Sequence, residues 1–136
     1  MIVSVELPWP HKGLSPNARL QVFAKAKIFK ATKQDAYVRT HRALRMAGVK
    51  TVRVKDGNSA KQWRGGVVNL KMICTPPILR YRDEDNMIAT CKAVFDGVAE
   101  AMKVNDTIFH FREQVWHEPV KPGKLTIVLD WEEPDE

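Results

Sequence analysis

Cysteine is scarce in this chain of 136 residues, which contains only Cys74 and Cys91. Both lie in apolar stretches, as small buried side chains do, and no Cys and His spacing typical of a zinc site occurs. The apolar runs are too short to span a membrane, and residues 1–7 lack the pattern of a signal peptide. Repeats and low-complexity segments are also missing. We therefore expect one globular domain and, by default, a cytoplasmic location.

Acidic residues are rare in the first 82 positions and concentrated after them. Residues 1–82 contain 17 lysines and arginines against three acids, whereas residues 83–136 contain five against 13. Such asymmetry in a chain of net charge +6 predicts a polyanionic partner. An ordinary solvated surface is the alternative. The acids of residues 130–136 are predicted to form a solvated tail that follows a single domain over 1–129.

Hydrophobic periodicity predicts a mixed α/β chain of the α+β class. Helices are expected over about 19–46 and 85–103, and strands over 2–7, 66–74, 107–116 and 125–129. The last two strands flank a turn at residues 121–123 and are predicted to pair as a hairpin. The segment 49–54 is compatible with a strand or a loop. The expected architecture is a small antiparallel or mixed sheet flanked by two helices.

The first predicted helix combines apolar and basic positions. Its apolar positions include Leu20, Phe23, Ala24, Tyr37, Val38 and Leu44. Basic residues line its polar side, and two arginines precede the second helix. They are predicted to contact phosphates of the polyanionic partner: Lys25, Lys27, Lys30, Lys33, Arg39, Arg80 and Arg82.

Carboxylates cluster around the start of the second predicted helix. Asp83 and Asp85 are two residues apart, so in extended backbone both point to one side. Asp106 follows at the start of the next strand, and a few carboxylates from separate elements are a usual source of ligands for Mg²⁺ or Mn²⁺. An N-cap is the simpler role for one of these acids.

One lysine accompanies the carboxylates. At about 100° per residue, Asp85, Lys92 and Asp96 lie on one side of the helix. Lys92 is therefore placed to stabilise the charge that develops on a phosphate. A surface Lys92–Asp96 ion pair, four residues apart on the helix, is the simpler alternative.

The combined pattern Asp83-x-Asp85-Asn86, Lys92-x-x-x-Asp96-Gly97 and Asn105-Asp106 resembles the RusA family of Holliday junction resolvases. The openings Leu7-Pro8-Trp9-Pro10 and Ser15-Pro16-Asn17-Ala18-Arg19 resemble that family too, so the resemblance covers most of the chain. It implies a small homodimer, often phage-encoded, that cuts four-way DNA junctions with Mg²⁺. One departure is that three additional residues separate Asn86 from Lys92 relative to some members.

The resemblance also implies roles for individual residues. Asp83, Asp85 and Asp106 would be catalytic metal ligands, and Lys92 the catalytic lysine. Asn86 and Asp96 would support them, Asn86 by orienting a carboxylate or capping the helix. Packing in the core or in a loop is the favoured interpretation of three aromatic residues, and insertion at the centre of a junction is the alternative: Trp9, Phe23 and Tyr81. Two other functions remain alternatives: Mg²⁺-dependent cleavage of flaps or other branched DNA, and binding of branched DNA without catalysis.

Overall fold

The computed structural model describes residues 1–49, 66–79 and 84–133. The helices are α1 (Val22–Met46), α2 (Glu84–Thr90) and α3 (Lys92–Met102). The strands are β1 (Ile2–Pro8), β2 (Val68–Thr75), β3 (Phe109–Trp116) and β4 (Lys124–Asp130). Short 3₁₀ turns occupy Lys12–Leu14 and Asp106–Ile108. The predicted α+β class is confirmed, whereas the segment 49–54 falls almost entirely outside the described residues.

The four strands form one mixed sheet in the order β1-β4-β2-β3. β4 is antiparallel to both β1 and β2, and β2 is parallel to β3. The predicted β3–β4 hairpin is therefore wrong, because β2 lies between these strands. Parallel neighbours need a crossover connection, and α2 and α3 provide it between β2 and β3. β4 lies inside the sheet, between β1 and β2, and its alternate residues Leu125, Ile127 and Leu129 are fully buried.

The core lies between one face of this sheet and the helices. Alternate residues of β1 and β2 point into it, as the period of a strand requires: Val3, Val5, Leu7, Val68, Leu70, Met72 and Cys74. Helix α3 closes the core, and eight of its eleven residues are buried. Within the described ranges, no helix has the length and apolar character needed to cross a membrane.

The second predicted helix is divided at Cys91. Cys91 has φ −90° and ψ 8°, and its N–H donates to the carbonyls of both Met87 and Ile88 at 3.1 Å. The side chain of Cys91 is buried, and this burial, with Cys74 nearby, raises the pKa of its thiol. Because the helix is interrupted here, the single face predicted for Asp85 and Lys92 cannot be extrapolated across the break.

Helix α1 is covered over only part of its length. Its buried residues are Ala36, Thr40 and Leu44, whereas Phe23 and Val38 are 88% and 52% exposed. The apolar positions predicted at Leu20, Phe23, Ala24 and Val38 are therefore largely solvent-facing. At 1.5 Å per residue α1 is about 38 Å long and α3 only about 16 Å. The shorter helix cannot cover the first turns of the longer one.

The end of the described chain belongs to the sheet. Asp130 is the last residue of β4 and pairs with Ile2. Trp131 is only 4% exposed, and its N–H donates to the carbonyl of Met1 at 3.1 Å. The tail predicted to start at residue 130 therefore starts too early, because the indole of Trp131 is part of the core. Glu132 and Glu133 are exposed, and residues 134–136 lie outside the described residues.

Candidate functional site

The crossing of α1 and α3 forms one wall of the candidate site. Gly97 makes this crossing close: a Cβ at this position would lie 2.8 Å from Ala36 Cβ and 3.0 Å from Tyr37 N, and would also overlap the Lys33 carbonyl oxygen. Across the same contact, Lys33 Nζ lies 3.4 Å from Glu100 Oε2. The absence of a side chain at Gly97 therefore sets how near the two helices approach.

An open groove of about 390 Å³ lies beside this crossing. Its walls come from α1, from the last turns of α3 and from the turn that follows: Lys33, Asp96, Ala99, Glu100, Lys103, Val104, Asn105 and Asp106. Three acids line the groove, Asp96, Glu100 and Asp106. Glu100 pairs with Lys33, and Asp96 and Asp106 are ten positions apart in sequence. Lys33 and Lys103 add positive charge to the same walls.

The end of α3 directs Asp106 toward the groove. Lys103 adopts a left-handed conformation with φ 61°, and Val104 N–H donates to the Ala99 carbonyl at 3.0 Å. This arrangement is a common way to stop a helix. Asn105 then caps the 3₁₀ turn, because its Oδ1 accepts the Thr107 N–H at 3.0 Å. Asp106 consequently occupies the first position of that turn and is exposed.

Lys92 is joined to the groove through Asp96. The Lys92 Nζ lies 3.6 Å from Asp96 Oδ1, and their side chains are 64% and 27% exposed. The predicted ion pair, four residues apart on one helix, is therefore present. Asp96 is the less exposed partner and lines the groove, so the Lys92 ammonium lies next to a residue of the groove wall.

The remaining predicted metal ligands are only partly described. Asp85 and Asn86 are exposed residues of α2, near its first turn. Asp83 lies outside the described residues, as do Arg80, Tyr81 and Arg82. In the described parts of the chain, no three His, Cys, Asp or Glu side chains lie together as a metal site. Of the predicted ligands that the structure describes, Asp106 lines the groove, and its carboxylate is of the kind that Mg²⁺ prefers.

The basic residues predicted to contact DNA fall into two groups. Lys33 pairs with Glu100, and Arg39 pairs with Asp35 at 2.9 Å. Lys27 and Lys30 are exposed, and neither forms an ion pair with another described residue. Lys25 is half-buried. The charges that remain open to a partner are therefore concentrated in the first half of α1.

Three contacts near the groove were not anticipated from the sequence. The rings of Tyr37 and His41 stack with centroids 6.0 Å apart, and Lys103 Nζ lies 5.4 Å from the Tyr37 centroid. The spacing of four residues on a helix is a signal that could have revealed the first contact. No local signal reveals the Lys103–Tyr37 or Lys33–Glu100 contacts, because both depend on how α1 crosses α3.

Packing is predicted for both Trp9 and Phe23, but the two rings differ in burial. Trp9 is half-buried and contacts Trp116 edge-on, with ring centroids 6.1 Å apart. Packing is thus confirmed for Trp9. For Phe23 the packing interpretation is wrong, because the N-terminal turns of α1 extend beyond α3 and leave this ring exposed.

Fold and groove together define a small α+β domain whose acidic groove is flanked by lysines. No family model matches the chain. It is 30% identical over 132 residues to an uncharacterized protein of Xylella fastidiosa (strain Temecula1 / ATCC 700964), and the match covers 93% of this chain and 74% of that protein. The chain belongs to the same family as this Xylella protein.

Among solved structures, the cyanuric acid hydrolase from A. caulinodans is similar at a TM-score of 0.38 and 12% identity. The match covers 97% of this chain and 39% of the hydrolase, so the chain spans less than half of that protein. A likeness of this size carries no inference about activity.

Proposed function

We propose that this protein is a Mg²⁺-dependent endonuclease that cleaves branched DNA, with four-way junctions as its preferred substrate. The observation that carries the proposal is the groove that holds Asp96 and Asp106 together, with Lys92 paired to Asp96 at 3.6 Å. Carboxylates and a lysine beside a groove suit hydrolysis of a phosphodiester. The strongly basic half of the chain suits a polyanionic substrate, and the motif that resembles RusA resolvases supplies the substrate class.

The metal would be held by Asp83, Asp85 and Asp106. When bound, it supplies Lewis-acid activation of water and neutralises charge on the phosphate. Lys92 is only loosely held, because its pair with Asp96 is long and solvent-exposed. An entering phosphate therefore competes well for the Lys92 ammonium, which then stabilises the charge that develops on the phosphoryl oxygens.

The exposed lysines of α1 would bind the DNA backbone. Lys27 and Lys30 are exposed on α1, and the same helix contributes Lys33 to the lining of the groove. Phosphate contacts of this kind fix position without reading sequence. A homodimer supplies two equivalent sites, as a substrate with two-fold symmetry requires. The proposed location is the bacterial cytosol or nucleoid.

A synthetic four-way junction, incubated with and without Mg²⁺, tests this function. We expect paired, symmetric nicks that require Mg²⁺ or Mn²⁺. If the protein cleaves only flaps, its substrate is a flap and not the four-way junction. Tight junction binding with no cleavage in either metal would favour a non-catalytic DNA-binding protein.

A further inference from the structure

One side of α1 carries aromatic and basic residues that are exposed in its first half and half-buried further along the helix. At about 100° per residue, five side chains fall within about 80° of the helix circumference: Phe23, Lys27, Lys30, Tyr37 and His41. We call this set the aromatic–basic face. Phe23 is 88% exposed, and Lys27 and Lys30 are exposed with no ion pair to any described residue. The first half of this face thus has no partner inside the described fold.

The second half of the face leads to the groove. Tyr37 stacks with His41 and lies beneath Lys103, which lines the groove. Phe23 and Tyr37 are 14 positions apart, which is about 21 Å along the helix axis. The face therefore begins at an exposed aromatic ring and, at Tyr37, contacts a lysine that lines the groove.

The charge of the face indicates which partner it fits. Residues 19–34 contain five basic residues and no acid. A second copy that docked here by two-fold symmetry would bring these charges against themselves, which is unfavourable. A helix that lies on a membrane separates its cationic and apolar faces, whereas here Phe23 lies between Lys27 and Lys30 on the same side. Nucleic acid satisfies the cations and the aromatic rings together.

Single-stranded nucleic acid fits better than a duplex. Proteins that bind single strands combine a basic track with aromatic side chains on which unpaired bases stack. In a duplex the faces of the bases are already stacked, so only the phosphates would be available to this side of α1.

We propose that the aromatic–basic face binds a single-stranded segment of nucleic acid, whose bases stack on Phe23 and on the Tyr37–His41 pair while its phosphates contact Lys27 and Lys30. That the bound strand continues into the groove for cleavage depends on the proposed nuclease function. Binding of the strand to the aromatic–basic face does not depend on it.

Fluorescence anisotropy with a labelled oligothymidylate of 12 nucleotides tests the stacking. The comparison probe is a strand of 12 abasic residues, which keeps the phosphates and lacks the bases. We expect Phe23→Ala to weaken binding of the oligothymidylate about tenfold, the scale of one lost base stack, and to leave the abasic strand unaffected. Phe23→Leu should behave like Phe23→Ala, and Phe23→Trp should retain affinity. Because Phe23 is exposed, none of these variants disturbs the core.

The lysines have a charge-matched control. The Lys27→Ala/Lys30→Ala variant should weaken both probes and reduce the dependence of affinity on salt. The Lys12→Ala/Lys121→Ala variant removes the same charge from exposed positions elsewhere and should retain most of the affinity. Equal losses in the two double variants would overturn the assignment to α1, since net charge alone would then account for binding.

Other occupants give different results. Equal affinity of wild type and Phe23→Ala for the oligothymidylate refutes the proposal. If Phe23→Ala in addition abolishes binding to vesicles containing phosphatidylglycerol, the face is a membrane contact. If it instead converts a dimer to a monomer in analytical ultracentrifugation, the occupant is a second copy. Strand binding that depends on Phe23, in a protein that cleaves no branched DNA, would retain this inference and reject the nuclease.

Discussion

The Lys92→Ala variant distinguishes a structural role of Lys92 from a catalytic one, because the two roles predict different effects on stability and on cleavage. Lys92→Ala removes an exposed pair at 3.6 Å, and exposed helix pairs of this spacing contribute about 0.3–0.5 kcal/mol to stability. Lys92 is also the first residue of α3, where a cation opposes the helix dipole and alanine is the better helix former. These effects offset the lost pair, so the free energy of unfolding should change by less than about 0.5 kcal/mol.

The expected effect on cleavage is far larger. Loss of a group that stabilises transition-state charge costs roughly two to three orders of magnitude in rate. Urea unfolding and single-turnover cleavage of a four-way junction, measured on the same preparation, give the two quantities. Lys124→Ala is the matched control, since Lys124 Nζ pairs with Glu6 Oε1 at 3.3 Å in a similarly exposed setting. It should change neither quantity appreciably.

Two results would refute this reasoning. Cleavage by Lys92→Ala at the wild-type rate would reduce the pair to a surface contact, and Lys103, which lines the groove, would become the next candidate. A stability loss of several kcal/mol would mean that the Lys92–Asp96 pair is structural, and that any loss of rate follows from a damaged fold.

Three further predictions concern the helix crossing, the buried thiol and the basic face. Gly97→Ala should lower the free energy of unfolding by about 1–3 kcal/mol through overpacking against Lys33 and Ala36, although alanine gains about 1 kcal/mol in helix propensity; a urea titration that shows stabilisation would contradict the close crossing. The raised pKa of the buried Cys91 thiol means that above about pH 8.5 only the unfolded chain releases this proton. Stability should therefore fall as the pH rises further, and a Cys91→Ala variant should show less of this fall. Junction affinity should decrease steeply as the salt concentration rises. Alanine at Lys25, Lys27 and Lys30 should lower the log–log slope of affinity against salt by up to about one per lost phosphate contact. An unchanged slope in this triple variant would mean that DNA binds at another surface.

Local patterns in the sequence were sufficient to predict most elements of the fold. Alternation and helical periodicity give β1, α1 and β4 to within about three residues, because each element carries its own pattern of inward-facing side chains. The strand order could not be predicted in this way. Sequential strands often pair, but β3 and β4 do not, because β2 lies between them. The local pattern does not reveal this order, since the edge strand β1 buries alternate residues just as the inner strand β4 does.

The candidate site was predictable only where it is local. The Lys92–Asp96 pair follows from a spacing of four residues on one helix. The groove depends on the approach of α1 to α3 at Gly97, which no pattern within either helix reveals. The exposure of Phe23 could not be predicted either, because it depends on the short length of α3, which leaves the first turns of α1 uncovered. The interruption at Cys91 was missed because good helix-forming residues lie on both sides of it.

Asp106→Asn tests the central claim most directly. Asp106 joins the groove to the proposed metal site, and Asp130→Asn is the matched control, because Asp130 is an exposed acid at the far end of β4. With a labelled four-way junction and Mg²⁺, Asp106→Asn should bind as tightly as wild type or more tightly, since it removes a negative charge, and should give no paired nicks. Asp130→Asn should cleave normally. Paired nicks from Asp106→Asn at the wild-type rate would contradict the assignment of this groove as the catalytic site.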